Sequence, residues 1–584
     1  MIYSVSIQFR QVLHLMPIVF LFWAAQSLAD PVTTLENRIN QPEFIDLENL
    51  AVEKRTDIDA ASQSLNKQRK ELNLKLDPSL ISTLRNSTPN EIAQDKATAV
   101  KRSIAEIRAS ALKHNLDLKI VMASPDIAST LVDEERAKFD NIIFANLKYS
   151  RKDLPEISGD NIKFTSNNSD LDNQLVKLNK TPTRSTSIDA ALGIEIPLRT
   201  GGNIQISSPF ESINKTGDFD SNEYRAGLKF SISQPLLRNA GVAVNEASIN
   251  IAAVGQQAVR ARTRLQSIRI IATIDKAYWA LNQAWTELEI RQQQYDYAIQ
   301  NLAMVRKRVK EGLSAAIEIN RSEIGVNDRL EQLVIAKTNL ALNQRQLKFY
   351  LNDPNFSIAH TTNLITTSLP DLFNYQFDRE KLITQASSNR LDILETELKL
   401  TEDAMKIEFL DNQTLPLFTL DYAYGALSNS GSKFSEAYTT VGNFDYNEWY
   451  VGLRFEMPIT NQARKARLQN AVGQRLQRLS TKELQQLSVK REIFDTLDTL
   501  EQNWQRIILM RQQVAIAGVN YEAELKQFKE GLRTMTEVLE ALSRLGEAEI
   551  REIRAITDYQ ITQIDLAFST GTLLGYSRIN FSKL

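Results

Sequence analysis

Glu318 and Glu537 each stand six residues beyond a glycine, Gly312 and Gly531, and the two sets lie 219 residues apart. The word Lys-Glu-Gly-Leu occurs at Lys310–Leu313 and recurs at that same offset at Lys529–Leu532. Glu540 follows Glu537 by three, which puts both carboxylates on one face of a helix, and Arg533 stands two residues after the second glycine. Carboxylates gathered in this way repel one another and attract cations. The plainer reading is that acidic side chains at a helix start are solvated there and suit the helix dipole.

Other residue types remove most catalytic chemistry. Only three histidines occur, His14, His114 and His360, and none pairs with another at a metal-ligand spacing. Cysteine is absent, so there are no disulfides, thiolate sites, thiol nucleophiles or lipid-anchoring N-terminal cysteine. The glycine-containing words Thr200–Asn203 and Ser569–Gly575 lack the lysine and spacing of a phosphate loop. Paired acidic residues are plentiful but sit on charged helical faces. The chain is expected not to be an enzyme and to need no cofactor or metal. A net charge of −2 over 584 residues gives no reason to expect nucleic acid as a partner.

The repeated glutamates must be held by repeated elements, and the sequence supplies them. Ile271, Ile274, Tyr278, Leu281, Trp285 and Leu288 fall on alternating three- and four-residue steps. A shift of 219 places Ile493, Leu497, Leu500, Trp504 and Ile507 on the same stripe, with Gln283/Gln502 and Asn301/Asn520 identical. Matched tryptophans and a matched four-residue word mark an internal duplication. A seven-residue repeat specifies a left-handed coiled-coil seam. A helix from about 246 to 311 would extend on the order of 100 Å at 1.5 Å per residue. After each glycine a second helix is expected to return, over about 316–351 and 537–571.

Ahead of each long helix lie two alternating, aromatic-containing strands. They begin at Asn141 and Tyr224 in the first half and at Pro416 and Trp449 in the second, and a proline follows each later strand. Between the first pair, residues 188–210 alternate around Thr200–Asn203, a good hairpin turn; whether that hairpin lies in or outside the sheet stays open. Arg10, the apolar stretch from Leu15 to Ala25 and the small residues Ser27 and Ala29 have the layout of a secretory signal peptide. No later apolar run is long enough for a spanning helix. In an exported chain a closed barrel is the remaining way to cross a bilayer. Tyr149, Tyr224, Tyr422, Trp449 and Tyr450 would be available for its aromatic girdles. Four strands cannot close such a barrel, so several chains would contribute.

Over residues 98–575 the chain resembles the TolC-like outer-membrane efflux proteins. The resemblance rests on the two-fold repeat of helix, strand, strand and long helix. It also rests on Ser233–Gly241 (SQPLLRNAG) and Met457–Ala471 (MPITNQARKARLQNA) after the strands, and on the paired glycine turns. It implies a mainly α fold with β: coiled-coil staves plus four barrel strands per chain, assembled as a homotrimeric α/β barrel in the outer membrane of a Gram-negative bacterium. By resemblance, Gly312, Leu313, Gly531 and Leu532 would meet a periplasmic adaptor, which joins the channel to an inner-membrane transporter. Glu537 and Glu540 would form the acidic ring of the pore gate, and Arg533 with Glu318 its latch. Six carboxylates brought together by three-fold symmetry would repel and raise some of their pKa values.

The expected organisation is a signal peptide at 1–29 and an extension without assigned role at 30–97. A first repeat at 98–352, a linker at 353–375, a second repeat at 376–575 and a tail at 576–584 follow. The expected function is a passive exit duct for an efflux pump or a type I secretion system. Its rivals are a non-conducting coiled-coil envelope protein and a soluble periplasmic interaction module.

Overall fold

Four stretches without proline decide the helical part of the fold. The computed structural model of the protein describes residues 51–57, 99–154, 183–216, 221–359, 362–428, 433–444 and 446–579. In chain order it begins with β1 (Ala51–Asp57), β2 (Ala99–Arg102), α1 (Ile104–His114), α2 (Leu116–Met122) and α3 (Ser124–Arg136). Strands β3 (Ile142–Leu154), β4 (Thr183–Pro197), β5 (Asn203–Thr216) and β6 (Ser221–Pro235) come next. Then follow α4 (Val242–Asn245), the 64-residue α5 (Ala247–Lys310), α6 (Ile317–Leu351), β7 (Asn363–Thr366) and β8 (Phe373–Phe377). The second half has α7 (Arg379–Asn389), α8 (Leu391–Gln413), β9 (Leu417–Leu427), α9 (Phe434–Asn443) and β10 (Tyr446–Glu456). It ends with the 68-residue α10 (Gln462–Lys529), α11 (Met535–Ser569) and α12 (Leu573–Tyr576). Among the described residues no helix is long and apolar enough to cross a membrane.

The chain divides into two compact units. The first takes Met1–Ile127, Gln257–Leu398 and Leu479–Leu584 and is built on two helical hairpins, α5 with α6 and α10 with α11. Its stripe residues Tyr278, Ile274, Leu281, Ile493 and Ile507 are almost wholly buried, as the heptads require. Two seam aromatics also do something the heptads did not predict. The Tyr278 hydroxyl donates to the carbonyl of Arg102 at 3.2 Å and accepts from the backbone N–H of Thr367 and Ser368 at 3.1 and 2.9 Å. The Trp285 indole donates to the Leu364 carbonyl at 2.8 Å. Together they fasten β2 and β7, which pair in parallel from Ala99↔Asn363 to Arg102↔Thr366. Residues 353–375 therefore hold β7 and the start of β8, and β8 pairs antiparallel with β1 of the N-terminal extension. The signal segment and the rest of 30–97 lie outside the described residues.

The second unit, Ala128–Gln256 with Lys399–Arg478, carries one sheet in the order β10-β9-β6-β5-β4-β3, every neighbour antiparallel. The expected count of four strands is corrected to six, because residues 183–216 form β4 and β5 inside the sheet, between β3 and β6. The reason is in the pairing: directly opposed residues share a face, and β4 and β5 continue the alternation of the strands on both sides. On one face Ala145 opposes Leu192, Ile194 opposes Ile206, Ile206 opposes Phe230, Phe230 opposes Tyr424 and Tyr422 opposes Val451. The other face is polar, with Lys148 opposite Asp189 and then Glu211 opposite Arg225. Trp449 belongs to the apolar face and Tyr450, its neighbour, to the polar one. Beyond the end of β9, α9 lays Ala437 and Val441 on Ala226, Phe210 and Tyr224.

Candidate functional site

Each long helix ends in the same turn. Gly312 and Gly531 sit at φ +73° and +83°, the left-handed region that glycine occupies without penalty. The N–H of Leu313 reaches back to the carbonyl of Arg308 at 2.8 Å, and that of Gly312 to Val309 at 3.0 Å. Leu532 to Gln527 and Gly531 to Phe528, both at 3.0 Å, repeat the pattern. This is a Schellman closure, which satisfies carbonyls the helix end leaves open. A Cβ at Gly312 would meet nothing within 4 Å, so the backbone angle alone calls for glycine there. Leu313 and Leu532, held outside the turns, are 62 % and 72 % exposed.

The two glutamates meet at one helix start. Glu537 accepts the backbone N–H of Thr534 at 2.7 Å, and Glu318 accepts that of Met535 at 3.3 Å. Two of the orphan donors of α11 are thus taken by the equivalent carboxylates of the two repeats. The bond from Thr534, with Arg533 beside it, holds the Glu537 carboxyl below its ordinary range; within one protomer that is opposite to the rise expected of a crowded acidic ring. Arg533 and Glu318 are not paired with each other inside the protomer. Arg533 lies 2.8 Å from Glu537 and 3.5 Å from Glu524, while buried Glu318 binds Arg321 at 2.7 Å. Glu540 is also engaged, by Arg544 at 2.6 Å. Short-range partners i+3 and i+4 win because the helix already places them in reach.

Two arginines that the sequence reading passed over tie the hairpins together. Arg308 donates to Ser314 Oγ at 3.3 Å across its own turn, and to the carbonyl of Lys529 on the other hairpin at 2.5 Å. Its guanidinium lies 5.2 Å from the Phe528 ring centre. Arg533 makes the equivalent cross-turn bond with Gln527 Oε1 at 3.0 Å. At the repeat offset Gln527 matches Arg308 and Arg533 matches Ser314. One cross-turn bond is therefore kept in both copies with its arginine moved to the other side of the glycine, and that swap was the available signal. Deeper in, buried Arg329 donates to the Leu539 carbonyl at 2.8 Å and Ser543 Oγ at 2.7 Å, joining α6 to α11. There Gly325 lets Leu539 approach: a Cβ would lie 2.8 Å from its Cδ1. Around these bonds Val305, Phe528, Met535, Val538, Leu542 and Leu545 form a buried cluster. Farther along α11, burial, with Glu552 adding to it, pushes the Glu549 carboxyl up to about 7.

The outer membrane efflux protein family matches residues 382–572, about a third of the chain. The outer membrane protein TolC of Vibrio cholerae serotype O1 is 24% identical over 409 residues, spanning 66% of this chain and 84% of that protein. Among solved structures, the outer membrane protein VceC of Vibrio cholerae superposes with a TM-score of 0.57 at 14% identity, over 80% of this chain and 96% of that one. The open state of the MtrE outer membrane channel of Neisseria gonorrhoeae gives 0.56 at 16% identity, over 81% and 90%. At these identities the structural likeness shows a shared fold.

Proposed function

We propose that the chain is a TolC-like outer-membrane factor of a Gram-negative outer membrane, and that three copies of it form a passive exit duct serving a tripartite efflux pump or a type I secretion system. The observation that carries this reading is the sheet of the second unit. Its apolar face leaves Ile143, Leu147, Leu192, Trp449, Leu453 and Phe455 exposed, against an opposite face of mixed charge. That is the pattern of a wall with lipid on one side and water on the other. Neither rival reading, a rod between layers or a soluble module, gives such a face a use.

In this duct the helical hairpins line the periplasmic passage. Gly312, Leu313, Gly531 and Leu532 present two exposed leucines on rigid turns, suited to the apolar contact of a periplasmic adaptor hairpin. Glu537 and Glu540 form the acidic gate ring. Because Arg533 and Arg544 already pair with them, the closed ring is one of exposed ion pairs, each worth little by itself. The latch is read as Arg533 on Glu524 and Glu537, with Glu318 supporting α11 instead of pairing with Arg533. Energy comes from the inner-membrane transporter.

Planar-bilayer recording of the purified protein tests this. Discrete conductance events, and a weaker cation preference in Glu537→Gln/Glu540→Gln, are expected. A protein that inserts and never conducts, even with Arg533→Ser, would leave the non-conducting envelope protein as the better reading.

A further inference from the structure

Strands β4 and β5 have no place in a four-strand plan, and three observations fix what they are doing. First, they are paired along their whole length. β4 runs against β3 from Ile142↔Glu195 to Leu154↔Thr183, and β5 runs against β6 from Asn203↔Ser233 to Lys215↔Ser221. At 13 to 15 residues each, these four strands exceed the roughly 9–11 needed by a tilted strand to cross a bilayer. Second, the apolar face passes through them up to the patch that α9 covers at Phe210 and Ala226: Leu192 is 60 % exposed and Ile206 38 %, between Leu147 at 79 % and Leu228 at 44 %.

Third, the β4–β5 turn is seated at the end of the sheet where β6 leaves for the helices, so the hairpin does not project away as an appendage. Gly241 N–H bonds the Thr200 carbonyl at 3.1 Å, Thr200 Oγ1 bonds Gln234 at 2.8 Å, and Arg199 pairs with Glu246 at 2.7 Å. The fit leaves no room for larger residues: a Cβ on Gly201 would lie 2.1 Å from the Asn239 carbonyl oxygen, and one on Gly202 2.4 Å from Gln234 Oε1.

We infer that the β4–β5 hairpin is part of the membrane wall, and that three chains close a barrel of eighteen strands in which β10 of one copy pairs with β3 of the next. This rests on the three-chain duct proposed above. The strand directions permit the closure: six strands, each antiparallel to its neighbour, leave the two free edges running opposite ways, so β10 meets the next β3 as another antiparallel pair. The apolar faces also continue across that seam, from Trp449, Val451 and Leu453 to Ile143, Leu147 and Tyr149. Barrel diameter grows roughly linearly with strand number. Eighteen strands therefore give a wall about 1.5 times as wide as the twelve that four strands per chain would supply, and just over twice the enclosed cross-section. The hairpin adds two strands and no helix of its own, so the wider wall adds no staves.

The chain has no cysteine, so single nitroxide labels report without background. Labels at Leu192→Cys and Ile206→Cys on the hairpin are compared in liposomes with Leu147→Cys and Leu453→Cys on the flanking strands, and with Asp189→Cys on the polar face. Collisional relaxation by oxygen, which concentrates in the bilayer, is set against relaxation by an aqueous nickel chelate. The inference expects Leu192 and Ile206 to favour oxygen several-fold, as Leu147 and Leu453 do, with Asp189 reversed. If the two hairpin labels favour the nickel chelate while Leu147 and Leu453 favour oxygen, the hairpin lies outside the wall: this inference falls and the duct stands. If Leu147 and Leu453 also favour the chelate, the membrane wall itself is wrong and both readings fall. The two hairpin positions lie on different strands, so failure of one variant to fold leaves the other to decide.

Discussion

Replacing Arg308 by alanine should loosen the tips of the two helical hairpins and raise the fraction of time the duct is open. Three contacts are lost: the 2.5 Å bond to the Lys529 carbonyl, the 3.3 Å bond to Ser314 Oγ, and the approach to the Phe528 ring. A hydrogen bond from a charged donor contributes about 1.5–3 kcal/mol, and a surface cation–π contact about 0.5–1 kcal/mol. The Ser314 bond is long and stays within one hairpin, so it adds little to the link. The Lys529 bond is solvent-exposed, which favours the low end, giving about 2 kcal/mol per protomer between the hairpins. If opening separates Arg308 from Lys529, that is roughly a thirty-fold shift toward open for each pair. Arg308→Lys keeps a charge but loses the planar fork and should fall between. Single-channel recording gives the open fraction, and amide exchange at residues 529–532 reports the tip directly. An Arg308→Ala protein with wild-type open fraction and unchanged exchange at those amides would refute the link.

Three further outcomes follow from the packing. In Gly546→Ala the new methyl would sit 1.0 Å from the amide nitrogen of buried Gln294. Overpacking of about 1–3 kcal/mol should outweigh the ~1 kcal/mol that alanine gains in helix propensity, and adding Gln294→Ala should recover most of the loss in a thermal double-mutant cycle. Tyr278→Phe strands the Ser368 N–H and removes a fastening of β2 to β7, at a cost of about 2–3 kcal/mol read as a lower urea midpoint. Glu549, with its carboxyl at about 7 against an ordinary 4.5, keeps its proton in the folded protein where the unfolded chain has lost it. Stability should therefore fall as pH rises from about 4.5 to about 7 and level off above. Glu549→Gln should melt higher than wild type at pH 8, by up to about 3 kcal/mol, and level with it at pH 4.

Local signals carried most of the fold. Proline-free heptads with one glycine at the right place gave both helical hairpins and their turns, because helix bonds and Schellman closures lie within six residues. Alternation likewise gave the strands. Pairing was less legible, since register depends on partners far away: residues 188–210 showed an apolar face but not the neighbours that would receive it. The four-residue β2 and β7 were hidden for the same reason. At the tips, Glu318 and Glu537 stood out through identity between the repeats. Arg308 was missed because its counterpart is Gln527, and the asymmetry itself is what ties the hairpins. Arg533 with Glu318 came from resemblance, and within the protomer each is held by a nearer partner.

Buried Asp275 of α5 receives two bonds from Arg108, at 2.8 and 2.9 Å, and that arginine also reaches the carbonyl of Ser577 at 3.3 Å. One guanidinium thus gathers the first described helix, the middle of the chain and its last described turn. The consequence concerns order in time. Contacts spanning hundreds of residues cannot form until both ends are present, and loops of that size slow the search more than they weaken the product. However early Arg108 and Asp275 meet, their junction is completed only when residue 577 is present, so the first unit finishes folding after its last-made residues arrive.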